Sequence, residues 1–474
     1  MTTSLRKKVT ALMTSVLTGA AIFALSFARP EPAHAIPALA RKYGLPCSAC
    51  HEAWPKLNTF GIAFRDNGYQ LGNERDSPIW QNNAYFPITF RMTPNWHLEK
   101  TNRVAVDIVP GNGSSGLIET STTSNGFDLS GLDILTLGTL YKNISFALVP
   151  SADETGAFHF ESVWVRVDNI LGSRWANVKF GKHELDVPEP LSEKRGYSLS
   201  ASSGGYILYH YDPYGGTNEF GLGDNQLGVE LSGHSRNSFT RYAVDVLSSN
   251  SGNVDFVDNN GNPAANSYDV YLHFSQGVMI PKLGLQRFGA LYYNGRRATY
   301  SMTSGGVPIA GTGDGTAPFY RVGAYASIYL GKLNYAGLFY HGNDNKYLAT
   351  ATPMNLGPAG LPTGAQDATW NGLLNEFDWT QNPQFVIFGR YEFAHMSQQA
   401  LPIGSLNALG ATVTSQLGDT DGWAIGYRWY PIMFSRAGLA WHNEYSRSRI
   451  KNAAPLSGQD LLNQSVFVGL DFDF

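Results

Sequence analysis

The last ten residues of this 474-residue chain place an apolar side chain at every second position. These positions are Val466, Val468, Leu470, Phe472 and Phe474. Successive side chains of a β-strand point to opposite faces, so the pattern predicts a strand that needs apolar surroundings on one face. Such a strand fits either the wall of a membrane barrel or the edge of a soluble sandwich, and the terminal Phe favours the barrel.

Similar alternation recurs through most of the chain and predicts further strands upstream. They cover residues 127–140, 143–150, 157–168, 174–185, 225–233, 239–249, 267–276, 284–297, 319–330, 333–344, 369–380, 383–396, 419–431 and 435–449. A barrel of this type has an even number of strands, so residues 86–98 are expected to supply one more. The run from Val104 to Val109 is then an extension of that strand or part of the first loop.

Composition and connection lengths agree with an all-β chain. It is rich in Tyr (25) and Gly (51), its mean hydropathy is −0.20, and short connections alternate with long polar ones. Together these features predict a transmembrane antiparallel β-barrel of about 16 strands in the lipid of the bacterial outer membrane. The longest connection, 186–224, is placed like the porin loop that folds inward, although an ordinary exposed loop fits equally. Basic residues do not outnumber acidic ones, so nucleic acid is not an expected partner.

The segment before the barrel divides into three parts. Residues 1–35 combine a basic start, an uncharged run and Ala33-His34-Ala35, which predicts a cleaved secretory signal peptide. Residues 36–71 form a short cytochrome-like segment, residues 72–85 a linker, and residues 86–474 the barrel. The linker is long enough to let the segment before it enter the lumen as a plug.

Cys47-Ser48-Ala49-Cys50-His51 contains the only two cysteines of the chain. The C-x-x-C-H spacing is typical of haem c attachment, because two thiols can add to the two vinyl groups while the adjacent imidazole becomes an axial iron ligand. A redox C-x-x-C pair or half of a zinc site is the alternative. We therefore expect one covalent haem c on Cys47 and Cys50, with His51 as iron ligand.

A helical pattern follows the motif. Leu57, Phe60, Gly61 and Phe64 share one face, and Asn67-Gly68 predicts the end of the helix. This face is expected to pack on the porphyrin or, alternatively, on the barrel wall.

A sixth iron ligand would have to come from the barrel, since no other His or Met lies between His51 and residue 86. Alternation from Ile88 onward favours His97 over Met92 for the lumen face. His159 and His183 are further candidates.

The chain resembles a known family, the fused monohaem cytochrome and porin proteins of the bacterial outer membrane, best known as ferrous-iron oxidases. The resemblance lies in Ala38 to Gly44 before the motif, and in Trp54-Pro55, Phe60-Gly61 and Gly68-Tyr69 after it. It implies thioether links at Cys47 and Cys50, iron ligation by His51, and electron transfer across the outer membrane. Extracellular Fe²⁺ would be the donor and a periplasmic c-type cytochrome the acceptor, which makes an enzymatic iron-oxidase activity one possibility.

Two other functions fit the same sequence. A solute porin could use the haem segment as a structural or gating plug, and a haem-based redox sensor would keep an open iron site. Conductance, reduction of the haem by Fe²⁺ and spin state distinguish the three. No catalytic residue is assigned.

Overall fold

The computed structural model describes residues 37–71, 88–108, 116–152, 156–187, 191–192, 195–199, 222, 225–248, 268–298, 316–349, 367–396, 405–406, 412–413, 419–433, 437–454 and 456–473. The predicted signal peptide and linker lie outside these residues, as does the terminal Phe474. No helix among the described residues is long and apolar enough to cross a membrane.

Sixteen antiparallel strands form a closed barrel in the described chain, and all follow sequence order around it. The first two short strands, β1 (His51–Ala53) and β2 (Lys56–Leu57), pair with each other before the barrel begins. The barrel strands are β3 (Thr89–Asp107), β4 (Leu117–Tyr141), β5 (Ile144–Ala152), β6 (Phe158–Val167), β7 (Asn177–Glu184), β8 (Asn225–His234), β9 (Thr240–Ser248), β10 (Tyr268–Ile280), β11 (Gly284–Ala298), β12 (Thr316–Leu330), β13 (Leu333–Asp344), β14 (Ala368–Asn382), β15 (Phe385–Met396), β18 (Thr420–Met433), β19 (Gly438–Ile450) and β20 (Leu461–Asp473). A separate pair, β16 (Ser405–Leu406) and β17 (Thr412–Val413), lies between β15 and β18.

The predicted count of sixteen is confirmed, and the barrel closes where β20 pairs with β3. β3 and β4 exceed their predicted lengths by the widest margin. The run that includes Val104 and Val106 is an extension of β3, reached through a register shift between Thr101 and Val104. β4 begins at Leu117 because its polar first residues continue the pairing with β3.

Side chains alternate between the outside and the lumen. On β10, for example, Leu272 and Phe274 are exposed on the outer face, while Asp269, His273 and Ser275 are buried on the inner one. The outer face therefore carries the apolar residues and the lumen many of the polar ones, the reverse of a soluble protein.

Two sectors of the lumen differ in lining. We call the inner face of β10 to β15 the packed sector, because a buried apolar cluster lies on it, beside buried ion pairs such as Arg321–Asp344. It includes Tyr271, Tyr293, Phe319, Tyr340, Leu338 and Trp370. We call the inner face of β4 to β9 the charged sector. It carries Asp133, Arg166, Lys179, Glu230, Arg241 and Asp245.

The described part of the connection 186–224 lies inside the barrel, as the inward-loop alternative predicted. Val187, Leu191 and Leu222 are fully buried in the apolar cluster of the packed sector. Farther along the loop, Ser198 donates a hydrogen bond to Glu444 on β19, on another part of the wall. The loop therefore crosses the lumen.

Residues 37–71 form a plug within the barrel. The plug consists of helix Pro37–Tyr43, helix Cys47–Cys50 (the motif helix), β1, β2 and helix Thr59–Asp66 (the plug helix). It bonds to the wall at several points around the circumference, all near the short turns. Gln70 reaches the carbonyl of Lys142 in the turn between β4 and β5, and Tyr430, near the end of β18, donates to the carbonyl of Trp54. The plug thus occupies the short-turn end of the lumen.

Candidate functional site

The two cysteines lie on one short helix, Cys47–Cys50, and both are buried. Residues three apart in a helix share a face, so the two thiols project to the same side. They form no disulfide. Burial raises the pKa of the Cys50 thiol to about 11 and raises that of Cys47 further, with an added contribution from the Asp473 carboxylate. Neutral thiols of this kind are poor redox nucleophiles.

His51 follows the motif helix directly and is 4% exposed. Its Nδ1 lies 3.0 Å from the carbonyl oxygen of Pro55. A carbonyl oxygen only accepts hydrogen bonds, so Nδ1 carries a proton and, in the neutral ring, Nε2 carries the lone pair. A histidine that binds a metal ordinarily donates its other ring N–H to such a carbonyl.

Asn58 holds the motif turn against the plug helix. Its side-chain amide donates to the carbonyls of Ser48 and Ala49, at 3.2 and 3.0 Å. Its Oδ1 accepts a hydrogen bond from the amide of Gly61 at 2.9 Å, which caps the plug helix. The packing is close, because a Cβ at Gly61 would lie 2.1 Å from the carbonyl oxygen of Cys50. Asn58 and Gly61 thus fix the motif relative to the plug helix.

The predicted apolar face of the plug helix is buried in one part and exposed in another. Gly61 and Phe64 are buried, and Phe64 forms aromatic contacts with Tyr43 and Tyr69 at centroid distances of 5.6 and 6.1 Å. Phe60 keeps 44% of its surface exposed. Gly68 has a φ of +78°, which confirms the predicted end of the helix.

A buried ion pair joins the plug to the packed sector. The Lys56 ammonium lies 2.5 Å from Asp378 on β14 and donates to Asn334 on β13 at 2.8 Å. Lys56 and Asp378 are each 1% exposed. Burial lowers the pKa of Lys56, but the carboxylates of Asp378 and Glu52 outweigh burial and raise it. Lys56 is therefore charged in the lumen.

A second contact joins the end of the plug helix to the charged sector. Asp66 pairs with Arg241 on β9 at 3.0 Å, and Arg241 also reaches Asp186 at 2.6 Å. Burial raises the pKa of Asp66, but the guanidinium groups of Arg241 and Arg65 lower it to about 2. Beside this contact, a cavity of about 270 Å³ lies between the plug and the charged sector. The residues that line it include Asp66, Arg166, His183 and Glu230.

The predicted distal ligands lie at different distances from the motif. Arg91 on β3 covers the ring of Trp54 in the plug, at 5.4 Å. His97 lies six residues farther along the same strand, about 20 Å from Arg91. Its neighbours are Asn95 and Asp128. Met92 is adjacent to Arg91 and points to the opposite face of the strand. The assignment of either residue as a ligand stays a prediction.

The other two candidate histidines differ in exposure. His159 is exposed on β6, where it pairs with Ser151. His183 is fully buried in the charged sector and lies 2.9 Å from Asp245. A methionine that sequence reasoning did not select, Met433, is buried in the same apolar cluster as Cys47.

Three contributors to the site were not identified from the sequence. Asn58 could have been, because Asn directly before a helical pattern is a typical N-cap. Lys56 and Arg241 carry no comparable signal, since their partners are distant in sequence.

No protein family profile and no curated relative matches this chain. Several solved structures of porins align with this chain. The anion-selective porin from Comamonas acidovorans aligns over 82% of this chain and 99% of its own length, at 10% identity and a TM-score of 0.49. The outer membrane channel DcaP of Acinetobacter baumannii aligns over 82% and 97%, at 10% identity and a TM-score of 0.48. OprB of Pseudomonas putida aligns over 81% and 94%, at 11% identity and a TM-score of 0.40. The barrel assignment itself rests on the strand pairing described above.

Proposed function

We propose that this chain is a bacterial outer-membrane c-type cytochrome that passes electrons from an extracellular donor such as Fe²⁺ to a periplasmic c-type cytochrome. The observation that carries the proposal is the arrangement of the motif inside the lumen. Two thiols share one helical turn, and the imidazole that follows is oriented by a backbone carbonyl. This donor set suits covalent haem c with one axial nitrogen ligand.

The outer surface of the barrel supports a location in lipid. Large apolar side chains such as Phe274, Phe288, Val322, Phe339 and Ile425 are exposed on it. Water would not tolerate so extensive an apolar surface on a monomer, whereas lipid requires it. A closed barrel also leaves no unpaired strand edge within the bilayer.

The position of the plug supports transfer toward the periplasm. In bacterial barrels the short turns face the periplasm and the long loops face outward. The plug lies at the short-turn end, where Gln70 contacts the turn residue Lys142. The motif would then lie near the surface that a periplasmic electron carrier can approach.

Each residue of the site has a distinct task. Cys47 and Cys50 would hold the group covalently, and Nε2 of His51 would bind its iron. The carbonyl of Pro55 orients the imidazole, and Asn58 fixes the turn that carries the thiols. When bound, haem c supplies a one-electron couple at its iron. Phe60 exposes aromatic surface near the motif, and a cavity of about 370 Å³ beside Leu57 has a mixed lining that includes Ile62 and Glu52.

A solute porin with a plugged lumen is the second candidate. The observation that favours it is the polar cavity between the plug and the charged sector, because ion pairs such as Lys179–Glu230 line a polar path for small charged solutes. The packed sector counts against a wide pore, since Trp370 and Tyr340 there are fully buried.

The proposal is tested with the full chain, expressed together with the c-haem maturation system and purified in detergent. We expect covalent haem that survives denaturing electrophoresis, and we expect Fe²⁺ to reduce it under anoxia. Changing both Cys47 and Cys50 to Ala should abolish the covalent haem. Ser48→Ala alters the same turn without removing a thiol and should retain it.

Two results would contradict the proposal. Covalent haem that persists in the double cysteine variant would overturn the attachment site. Haem that stays oxidised with Fe²⁺, combined with ion conductance across a planar bilayer, would favour the solute porin.

A further inference from the structure

We infer that the barrel wall also binds one divalent first-row transition-metal ion, at His183, Glu230 and Asp245. These residues belong to three neighbouring strands, β7, β8 and β9, and all three are buried. One potential ligand atom from each lies within 4.8 Å of the others. The site depends only on the barrel, so the haem proposal neither requires it nor is tested by it.

The histidine is oriented as a metal ligand. Its Nδ1 lies 3.0 Å from the carbonyl oxygen of Gly181, which can only accept a hydrogen bond. Nδ1 therefore carries a proton, and Nε2 is the nitrogen that faces the cluster. Donation of the other ring N–H to a backbone carbonyl is the usual outer-shell contact of a metal-binding histidine.

The contact between His183 and Asp245 requires a proton or a metal ion between the two atoms. Nε2 of His183 lies 2.9 Å from Oδ1 of Asp245. With the proton of a neutral ring on Nδ1, this contact would place a nitrogen lone pair against a carboxylate oxygen. A second proton or a metal ion makes the contact favourable.

The second carboxylate oxygen points to a ligand independently. Asp245 is 0% exposed, and its Oδ2 has no hydrogen-bond partner among the described residues. A buried carboxylate oxygen without a donor is costly. A cation between His183, Asp245 and Glu230 would satisfy it.

Lys179 is the competing cation. Its ammonium lies 2.7 Å from Oε2 of Glu230, so this carboxylate is partly neutralised without a metal. Lys179 does not reach Oδ2 of Asp245, which stays without a hydrogen-bond partner among the described residues. The cluster is therefore built for more positive charge than Lys179 provides.

The donor set and its surroundings define the class of ion. One imidazole and two carboxylates suit Mn²⁺, Fe²⁺, Co²⁺ or Zn²⁺ better than Ca²⁺ or Mg²⁺, which prefer oxygen ligands alone. His183 and Glu230 line the cavity between the plug and the charged sector, so the cluster has a polar approach from the lumen.

Binding can be measured on the full chain in detergent by the loss of the free Mn²⁺ signal in electron paramagnetic resonance. We expect saturable binding of one Mn²⁺ per chain, displacement by Zn²⁺, and at least tenfold weaker binding in Asp245→Asn and in His183→Gln. In unbuffered solution, Zn²⁺ binding should release protons, because the ion replaces the proton between His183 and Asp245.

Two further variants keep the test decisive. Lys179→Met removes the competing cation and should preserve or strengthen Mn²⁺ binding.

His442→Gln is the matched control. His442 also contacts a buried carboxylate, Glu444, but both oxygens of Glu444 already accept hydrogen bonds. It should leave Mn²⁺ affinity unchanged. Absence of saturable binding in the wild type, or equal affinity in Asp245→Asn, would overturn the inference. Gel migration before and after heating verifies that each barrel is folded.

Discussion

The packed and charged sectors share one backbone architecture and differ in what their inner side chains do. In the packed sector, Tyr293, Tyr340 and Trp370 are fully buried against the inward loop and against one another. In the charged sector, Arg166, Glu230 and Arg241 form ion pairs beside a cavity. Closure of the barrel therefore does not require a uniformly filled lumen.

The difference suggests a division of labour. On one side, apolar packing holds the loop. On the same side, the buried carboxylate of Asp378 anchors the plug through Lys56. On the other side, charges and space are retained where ions can approach the end of the plug helix at Asp66. Three substitutions separate these roles, in order of decreasing expected effect.

Trp370→Ala tests whether the packed sector carries stability. Trp370 is fully buried, and its indole N–H donates to Asp344 at 3.1 Å. Truncation of such a residue costs about 3–5 kcal/mol in unfolding free energy. Thermal loss of the β-sheet circular dichroism measures it. Trp164→Ala is the matched control in the charged sector, where one side of the ring already borders the cavity, and its cost should be less than half. Equal costs would remove the distinction between the sectors.

Lys56→Met tests the anchor of the plug. The substitution leaves Asp378 buried without its cation, and breaking a buried pair in this way costs about 3 kcal/mol. Protease sensitivity of the plug within the folded barrel measures the effect. Arg449→Met is the control, because the pair of Arg449 with Asp421 is exposed at 45% and 24% and should contribute at most about 1 kcal/mol. A plug equally protected in Lys56→Met and the wild type would show that this pair is not an anchor.

The pH dependence of plug docking tests the charged sector. The pKa of Asp66 is about 2 when docked, against an ordinary value of 3.8. A lowered pKa means that the stabilisation is complete above pH 3.8 and is lost as the pH falls through about 2. The difference corresponds to about 2 kcal/mol. Plug protection measured between pH 5 and 2 should fall in the wild type and change less in Asp66→Asn. The same slope in both proteins would exclude Asp66 as the titrating group.

Much of the fold could be predicted because alternation has a direct physical cause. Each strand presents one face to lipid and the other to the lumen, so apolar residues recur at every second position where the lumen face is polar. The full length of β3 could not be predicted, because the register shift between Thr101 and Val104 breaks the alternation. The polar beginning of β4, from Leu117, shows no apolar face to detect.

The candidate site divides in the same way. Cys47, Cys50 and His51 lie within five consecutive residues, so their spacing alone predicts a chemistry. The cluster of His183, Glu230 and Asp245 depends on the register of three strands, which the sequence does not reveal. Lys56 and Asp378 are 322 residues apart, and only the closed barrel brings them together.

That long-range pair also affects how the barrel can close. The seam joins β3 to β20 and must bring together residues from opposite ends of the chain. If Lys56 first binds Asp378, the chain between the two seam strands is shortened to about one third of its length. The entropic cost of closing the barrel then falls by about 1 kcal/mol, because this cost grows with the logarithm of loop length. The plug would then act as an internal tether that brings the first barrel strand toward the last.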